Sequence, residues 1–145
     1  RMGNQMIDAA VREKNRQYWD GAADNWFGAT ALPEYGVHCV TEDELHFFDG
    51  VQGKRLLEVG CGSGHSLVWQ AKHGAGELWG LDISESQLRN ASRWLAENGV
   101  EAHLVCSPME EPAAFRRAIS TTSIRFTRSA GRPTCTARSA ALRLT

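Results

Sequence analysis

Between residues 55 and 106, short apolar runs alternate with stretches of helical periodicity. The runs RLLEV, GELWGLDI and VEAHLVC are short and bounded by glycine or polar residues, which predicts three buried strands. Two helices are predicted between them, with apolar stripes at Leu67, Val68 and Ala71 and at Leu88, Ala91 and Leu95. Ser84 and Gln87 are predicted to cap the second helix. Strand and helix alternating within about fifty residues predict right-handed βαβ crossovers and a parallel sheet.

The first 50 residues predict helices instead of strands. Apolar residues at helical spacing favour one helix that ends at about Tyr18. Thr41 is followed three residues later by Glu44, which is a capping-box pattern, so a short helix to Phe48 is predicted.

The composition of the 145 residues narrows the class of protein. With 42% hydrophobic and 23% charged residues, the chain is typical of one globular domain with a buried core. No apolar run approaches the roughly 18 residues of a membrane span, and the first residues do not resemble a secretory signal. We therefore expect a cytoplasmic protein without a membrane partner. The four cysteines form no CxxC pair, which predicts free thiols and no metal site.

Three glycines at alternate positions follow the first predicted strand: Gly60, Gly62 and Gly64. Ligands of open α/β sheets bind at the carboxyl ends of strands, so this bare loop predicts a nucleotide-like ligand. The loop lacks the lysine of the phosphate-binding pattern, and His65 stands where the dinucleotide pattern GxGxxG needs its third glycine. Glu58, at the strand end, is poorly placed for a pyrophosphate and suits a ligand whose near end is a positive ammonium.

Two segments resemble the class I S-adenosylmethionine-dependent methyltransferases: LLEVGCGSG and GLDIS. The first is similar to the motif E/D-x-G-x-G-x-G of that family, and the second to the acidic end of its second strand. Gly64 and Asp82 are 18 residues apart, close to the roughly 20 expected for an acid that holds ribose hydroxyls. YWDGAADNWFGATALPEYG and SPMEEP are similar to the small-molecule branch, called type 11, and the resemblance covers approximately residues 16–112.

The resemblance implies a fold and a cofactor, S-adenosyl-L-methionine. The fold is α/β, an incomplete Rossmann-like doubly wound parallel sheet with an N-terminal helical segment. Glu58 would meet the amino group of the cofactor, Asp82 both ribose hydroxyls and Ile83 the adenine face. Ser107 stands where the family often has an aspartate for the adenine amino group, and Tyr18 would cover the cofactor. The other implied cofactor-binding residues are Gly60, Cys61, Gly62, Gly64 and Met109.

The same resemblance implies methyl transfer to a small-molecule acceptor. The sulfonium methyl is already activated by its charge, so positioning and water exclusion would supply most of the rate. A general base is needed only if the acceptor holds a proton, and His38 and His46 are candidates by chemistry alone. No catalytic residue is assigned. Cys61 has no identifiable base beside it, which favours a space-filling role over a nucleophile.

The last 33 residues depart from the family pattern. They hold ten Ser or Thr, seven Arg and seven Ala, with no acid and no persistent apolar period. We expect an N-terminal helical cap at 1–50, the first half of the Rossmann-like domain at 51–112, and a disordered or out-of-frame tail at 113–145. Without the family's fourth strand, RLLEV would be an exposed edge and half of the cleft would be missing. Methyl transfer would then be impaired.

Two other functions stay open on the sequence. The chain could be a non-enzymatic cofactor- or nucleic-acid-binding module that uses its Arg-rich tail to bind phosphates, although the tail lacks lysines and interleaved aromatic residues. The second alternative is a fragment of a nicotinamide-dependent oxidoreductase. His65, in place of the third glycine of the dinucleotide pattern, argues against it.

The composition of the tail generates a prediction about its reading frame. Arg, Ala, Ser, Thr, Pro and Gly dominate unselected readings of G+C-rich DNA, so we expect a frame change near residue 113. Translation of the same nucleotides in the other two frames should give a strand with Phe-Asp and then alternating strands and helices. If neither frame gives this pattern, the frameshift hypothesis is wrong.

Overall fold

The structure is a computed structural model that describes residues 2–36, 40–110 and 124–128. Its elements in chain order are α1 (Met2–Ala22), α2 (Glu42–Leu45), β1 (Arg55–Val59), α3 (His65–Lys72), β2 (Glu77–Asp82), α4 (Glu85–Glu97), β3 (His103–Cys106) and β4 (Ile124–Arg128). Within these ranges the strands form one sheet in the order β3-β2-β1-β4, and every pair is parallel. The predicted α/β fold with an N-terminal helix is confirmed.

The predicted βαβ units set the register of the sheet. Val59 of β1 pairs with Leu81 of β2, and Asp82 pairs with Cys106 of β3. In a parallel sheet the carboxyl ends of neighbouring strands meet at one edge. The glycine loop after β1 and the acidic end of β2 therefore lie side by side, which is where ligands of such sheets bind.

β4 is not among the strands predicted from the sequence. The backbone of Ile124–Arg128 pairs with β1 from Arg55 to Val59, on the side opposite β2. The expectation that β1 is an exposed edge without a fourth strand is therefore wrong. Ile, Phe and Thr in IRFTR favour strands, but five residues are too few to show a period among the arginines and serines around them. The strand order reverses between β1 and β4, so a switch point lies beside the glycine loop.

Buried side chains lie on both faces of β1. Leu56 belongs to one cluster, and Leu57 and Val59 belong to another, because successive side chains of a strand point to opposite faces. The buried members of the first cluster are Phe48, Val51, Leu56, Cys61, Leu67, Val68, Leu78 and Leu95. Burial on both faces explains why adjacent positions such as Leu56 and Leu57 are both apolar, instead of apolar and polar residues alternating.

The helices follow their predicted caps. The side chain of Ser84 accepts a hydrogen bond from the Gln87 backbone N–H at 3.1 Å and begins α4. The carboxylate of Glu44 accepts the Thr41 N–H at 2.8 Å at the start of α2, which ends earlier than predicted. α1 is longer than predicted and ends at Ala22. None of the helices in the described ranges combines the length and the hydropathy that a membrane span requires.

Gly80 in β2 allows the glycine loop to close onto the sheet. A Cβ at this position would lie 2.8 Å from Cys61 Sγ and 2.9 Å from Leu67 Cδ1. Both distances are shorter than ordinary van der Waals contact, so any larger residue would push the loop and α3 away from β2.

Candidate cofactor-binding site

The glycine loop is tied to the end of β2 by its own backbone. The N–H groups of Gly60 and Cys61 donate to the Leu81 carbonyl at 2.7 and 3.0 Å. The N–H of Gly62 donates to Asp82 Oδ2 at 2.9 Å. Gly62 has a φ of 51°, in the left-handed region that side chains disfavour. The loop therefore presents bare backbone next to a carboxylate.

Asp82 is held in place from both sides. Its Oδ2 accepts Gly62 N–H, and its Oδ1 accepts the Ser84 N–H at 2.9 Å. Burial raises the pKa of Asp82, while backbone hydrogen bonds from Ser84, Gly62 and Ile83 oppose that shift. A carboxylate has about four lone-pair positions, so Asp82 keeps acceptor capacity for a ligand.

Glu58 is a buried acid on β1, only 2% exposed. Burial raises the pKa of Glu58 to about 8, a hydrogen bond with Ser66 lowers it, and the charge of Asp82 raises it. Its Oε2 has no hydrogen-bond partner within the described part of the chain. A buried carboxyl with a free oxygen gains most from a cationic partner, because the opposite charge offsets the cost of burial.

Gln87 is a residue that the sequence analysis treated only as part of a cap. It is 4% exposed, and its Oε1 also lacks a hydrogen-bond partner among the residues the structure describes. A Cβ on Gly62 would lie 3.7 Å from this oxygen. A second buried acceptor therefore lies beside the glycine loop, and the helical pattern of α4 gave no signal for it.

Residues predicted to contact the adenine follow β2 and β3. Ile83 is half-buried, and its carbonyl accepts a hydrogen bond from Cys106 Sγ at 3.7 Å. The Ser107 N–H donates to the Asp82 carbonyl at 2.9 Å, which places Ser107 directly beside the end of β2. Met109 is 41% exposed. The predicted roles of these residues toward adenine stay predictions.

Burial decides the chemistry of Cys61. The side chain is 5% exposed, and burial raises the pKa of its thiol, with the charges of Glu58 and Asp82 adding to the shift. A thiol that stays protonated is a poor nucleophile, which agrees with the predicted packing role. Cys61 and Cys106 are free thiols.

Of the two candidate bases, only His46 lies within the described residues. The side chain of His46 is 63% exposed, and its Nδ1 lies 3.4 Å from Asp49 Oδ1. His38 lies outside the described residues. Within those residues, no group of three His, Cys, Asp or Glu could hold a metal ion.

The amino-terminal segment, defined here as residues 20–32, lies against the glycine loop and the start of α3. The Gly28 N–H donates to Ser63 Oγ at 3.0 Å, and the Leu32 N–H donates to Ser66 Oγ at 3.1 Å. Neither contact has a sequence signal, because each joins residues more than 30 positions apart. Ser63 of the glycine loop and Ser66 of α3 thus hold the amino-terminal segment in place.

Aromatic rings complete the contact between this segment and the helices. His65 stacks on Trp94 with ring centroids 4.4 Å apart, and Phe27 packs edge-on against both. Desolvation lowers the pKa of His65, which favours the neutral ring. Tyr18 is 59% exposed and packs edge-on against Trp19. Its predicted contact with a cofactor stays a prediction.

A known protein family matches the part of the chain that contains the glycine loop and the sheet. Residues 56–140, more than half of the chain, match the family described as "Methyltransferase domain". The chain belongs to this family. The predicted class I S-adenosylmethionine-dependent methyltransferase is confirmed, and S-adenosylmethionine is the cofactor of the family. The match extends past residue 113, into the segment that departs from the expected pattern.

Two curated methyltransferases share part of the sequence. Ubiquinone biosynthesis O-methyltransferase of Azoarcus sp. (strain BH72) is 31% identical over 98 residues, which cover 68% of this chain and 39% of the relative. Ribosomal protein L11 methyltransferase of Klebsiella pneumoniae (strain 342) is 32% identical over 84 residues, which cover 56% of this chain and 29% of the relative. The chain thus spans less than half the length of either relative.

A solved structure with the same fold contains a cofactor product. The magnesium protoporphyrin IX methyltransferase from Synechocystis PCC 6803, with bound SAH, superposes with a TM-score of 0.53 at 17% identity. The superposition covers 80% of this chain and 71% of that one. At this identity the likeness shows the fold alone.

The residues of the loop fit the family's cofactor. S-adenosylmethionine carries an amino group at one end and a ribose diol next to its adenine. The unpartnered oxygen of Glu58 suits the amino group, and the remaining acceptor positions of Asp82 suit the diol. Bare glycine backbone between the two acids leaves room for the ligand to approach closely.

Glu58→Gln is expected to change how stability depends on pH. The folded chain keeps the Glu58 proton up to about pH 8, whereas an unfolded glutamate loses it near 4.5. The free energy of unfolding should therefore fall as pH rises from about 4.5 to 8 and level off above. Glu58→Gln removes this fall, so the variant should exceed the wild type in stability at pH 8.5 by about 1–3 kcal/mol.

Urea denaturation of both chains at pH 5 and pH 8.5 measures this difference. Glu97→Gln is the matched control, because Glu97 is exposed on α4. An equal pH slope in the wild type and Glu58→Gln would contradict a buried, protonated Glu58.

Proposed function

We propose that the chain binds S-adenosylmethionine and transfers its methyl group to a small-molecule acceptor. The observation that carries the proposal is the pair of buried carboxyls, Glu58 and Asp82, on either side of a loop anchored to the second one. Membership of the methyltransferase family supports the same cofactor.

Each part of the site has a proposed role toward the cofactor. Glu58 holds the amino group, and Asp82 accepts the two ribose hydroxyls. A positive amino group beside Glu58 favours its ionised form, so we expect binding below pH 8 to release a proton. The cofactor is proposed to pack against the glycine backbone, the Cys61 side chain and Ile83. Ser107 and Met109 lie at the adenine end.

In the proposed reaction, the main task of the protein is to position the two reactants. S-adenosylmethionine supplies a methyl group that its sulfonium charge already activates. The residues of this chain therefore need to align the acceptor and keep water out. The amino-terminal segment, held by Ser63 and Ser66, is the part placed to exclude water.

A small molecule is the proposed class of acceptor. The Azoarcus O-methyltransferase of ubiquinone biosynthesis covers more of this chain than the L11 methyltransferase does. The proposed type 11 resemblance of the amino-terminal segment points to the same class. Nucleic acid is not favoured as a partner.

Asp82→Ala is expected to weaken binding of S-adenosylhomocysteine at least tenfold. Two hydrogen bonds from hydroxyls to a charged, buried carboxylate would be lost, and tenfold corresponds to about 1.4 kcal/mol. Isothermal titration calorimetry measures the affinity. Asp8→Ala, at an exposed position of α1, should bind like the wild type. Unchanged affinity in Asp82→Ala would overturn the assignment of the ribose site.

The acceptor class is tested by the fate of a labelled methyl group. The chain is incubated with methyl-labelled S-adenosylmethionine and either a panel of small phenols or intact ribosomal protein L11. We expect label in the phenol fraction, and none when Asp82→Ala replaces the wild type. Label in L11 alone would contradict a small-molecule acceptor. A wild-type chain that binds the cofactor but labels none of these acceptors would contradict the proposed methyl transfer to a small phenol.

A further inference from the structure

Asp20, at the end of α1, contacts the first residues of α4. Its Oδ1 accepts hydrogen bonds from Ser84 Oγ at 2.6 Å and from the Ser86 N–H at 3.1 Å. These partners are 64 and 66 residues away, so the contact is tertiary. Ser86 N–H is one of the groups at a helix start that the helix itself leaves without an acceptor. Asp20 therefore adds a second cap to α4 from outside the helix.

Ser84 connects Asp20 with the ribose-binding acid. Its side chain is fully buried, its Oγ accepts the Gln87 N–H, and its own N–H donates to Asp82 Oδ1 at 2.9 Å. A hydroxyl has one proton, and a carboxylate only accepts. Donation to Asp20 therefore fixes the Ser84 rotamer and leaves its lone pairs for Gln87. Without Asp20 the buried hydroxyl would lose its acceptor.

The second oxygen of Asp20 is held as well. Arg16 Nη1 donates to Asp20 Oδ2 at 2.9 Å. Burial raises the pKa of Asp20, but hydrogen bonds from Ser84 and Ser86, together with Arg16, lower it below its ordinary value. The carboxylate stays charged at the amino end of a 13-residue helix, where the helix dipole favours an anion.

We propose that Asp20 is a positioning residue for the nucleoside end of the cofactor site, acting through Ser84 on Asp82. The inference rests on the proposed function, because Asp82 is the proposed ribose ligand. Backbone N–H groups of Gly62, Ile83 and Ser84 orient Asp82, and the last of these residues is the one that Asp20 fixes. Asp20 itself makes no proposed contact with the cofactor.

The same segment offers a matched control. Asp24 Oδ1 accepts a hydrogen bond from Asn90 Nδ2 at 2.9 Å. This contact also joins the amino-terminal segment to α4, but it lies past the first turn of the helix and does not involve Ser84. A loss caused only by loosening the segment should appear equally in Asp20 and Asp24 variants.

The first test measures S-adenosylhomocysteine affinity by isothermal titration calorimetry. Asp20→Ala should lose about tenfold, typical of a lost hydrogen bond to a charged group. Asp20→Asn keeps an oxygen for Ser84 and should lose about threefold, while Asp24→Ala should stay within about twofold. Wild-type affinity in Asp20→Ala would overturn the inference, as would equal losses in Asp20→Ala and Asp24→Ala. If Asp20→Ala does not fold, as judged by circular dichroism, unchanged affinity in Asp20→Asn would overturn it.

The second test separates positioning from a general structural role. If Asp20 acts through Asp82, the roughly tenfold effect of Asp20→Ala should shrink to under threefold in an Asp82→Asn background. Equal fold-losses in both backgrounds would overturn the inference. A wild-type chain that does not bind S-adenosylhomocysteine would overturn the proposed function and this inference with it, whereas wild-type binding with additive losses overturns the inference alone.

Discussion

The hydrogen bond from the Gly62 N–H to Asp82 Oδ2 is the contact on which the site depends. It joins the loop after β1 to the end of β2, two elements that the parallel register already places side by side. The bond needs a residue without a side chain in the loop and a strand that the loop can approach. Gly62 meets the first condition, and Gly80, with Cys61 Sγ against it, meets the second. The hydrogen bond between the loop and Asp82 therefore needs both glycines, each for a different reason.

Two carboxyls near this bond make the site costly to fold. Burial raises the pKa of both Glu58 and Asp82, which means that the folded chain disfavours their charged forms. A core built for stability alone would place an apolar residue at position 58, as it does at Leu56 and Leu57. The proposed cofactor accounts for an acid at this position, because its positive amino group would offset the cost of ionising the buried Glu58.

The sequence predicted those parts of the fold that depend on local pattern. Three strands, the helices between them and the caps at Thr41 and Ser84 all follow from periodicity or from residues three positions apart. The contacts of Asp20 and Ser63 with distant partners could not be predicted, because nothing along the chain indicates which surfaces meet. β4 was missed for a related reason. Its pairing partner β1 lies about 70 residues earlier, and IRFTR alone is too short to be distinguished from its surroundings.

The position of β4 changes what the rest of the molecule requires. A central strand with only one neighbour would expose unpaired backbone groups at the place where the cofactor is proposed to bind. Pairing with Ile124–Arg128 satisfies β1 on both sides and creates the reversal of strand order that ligands of α/β sheets use. The pairing joins backbone groups that every residue type except proline can supply. The residues proposed to bind the cofactor are Glu58, Asp82 and the loop between them, and they lie in the part of the chain where the family pattern is intact.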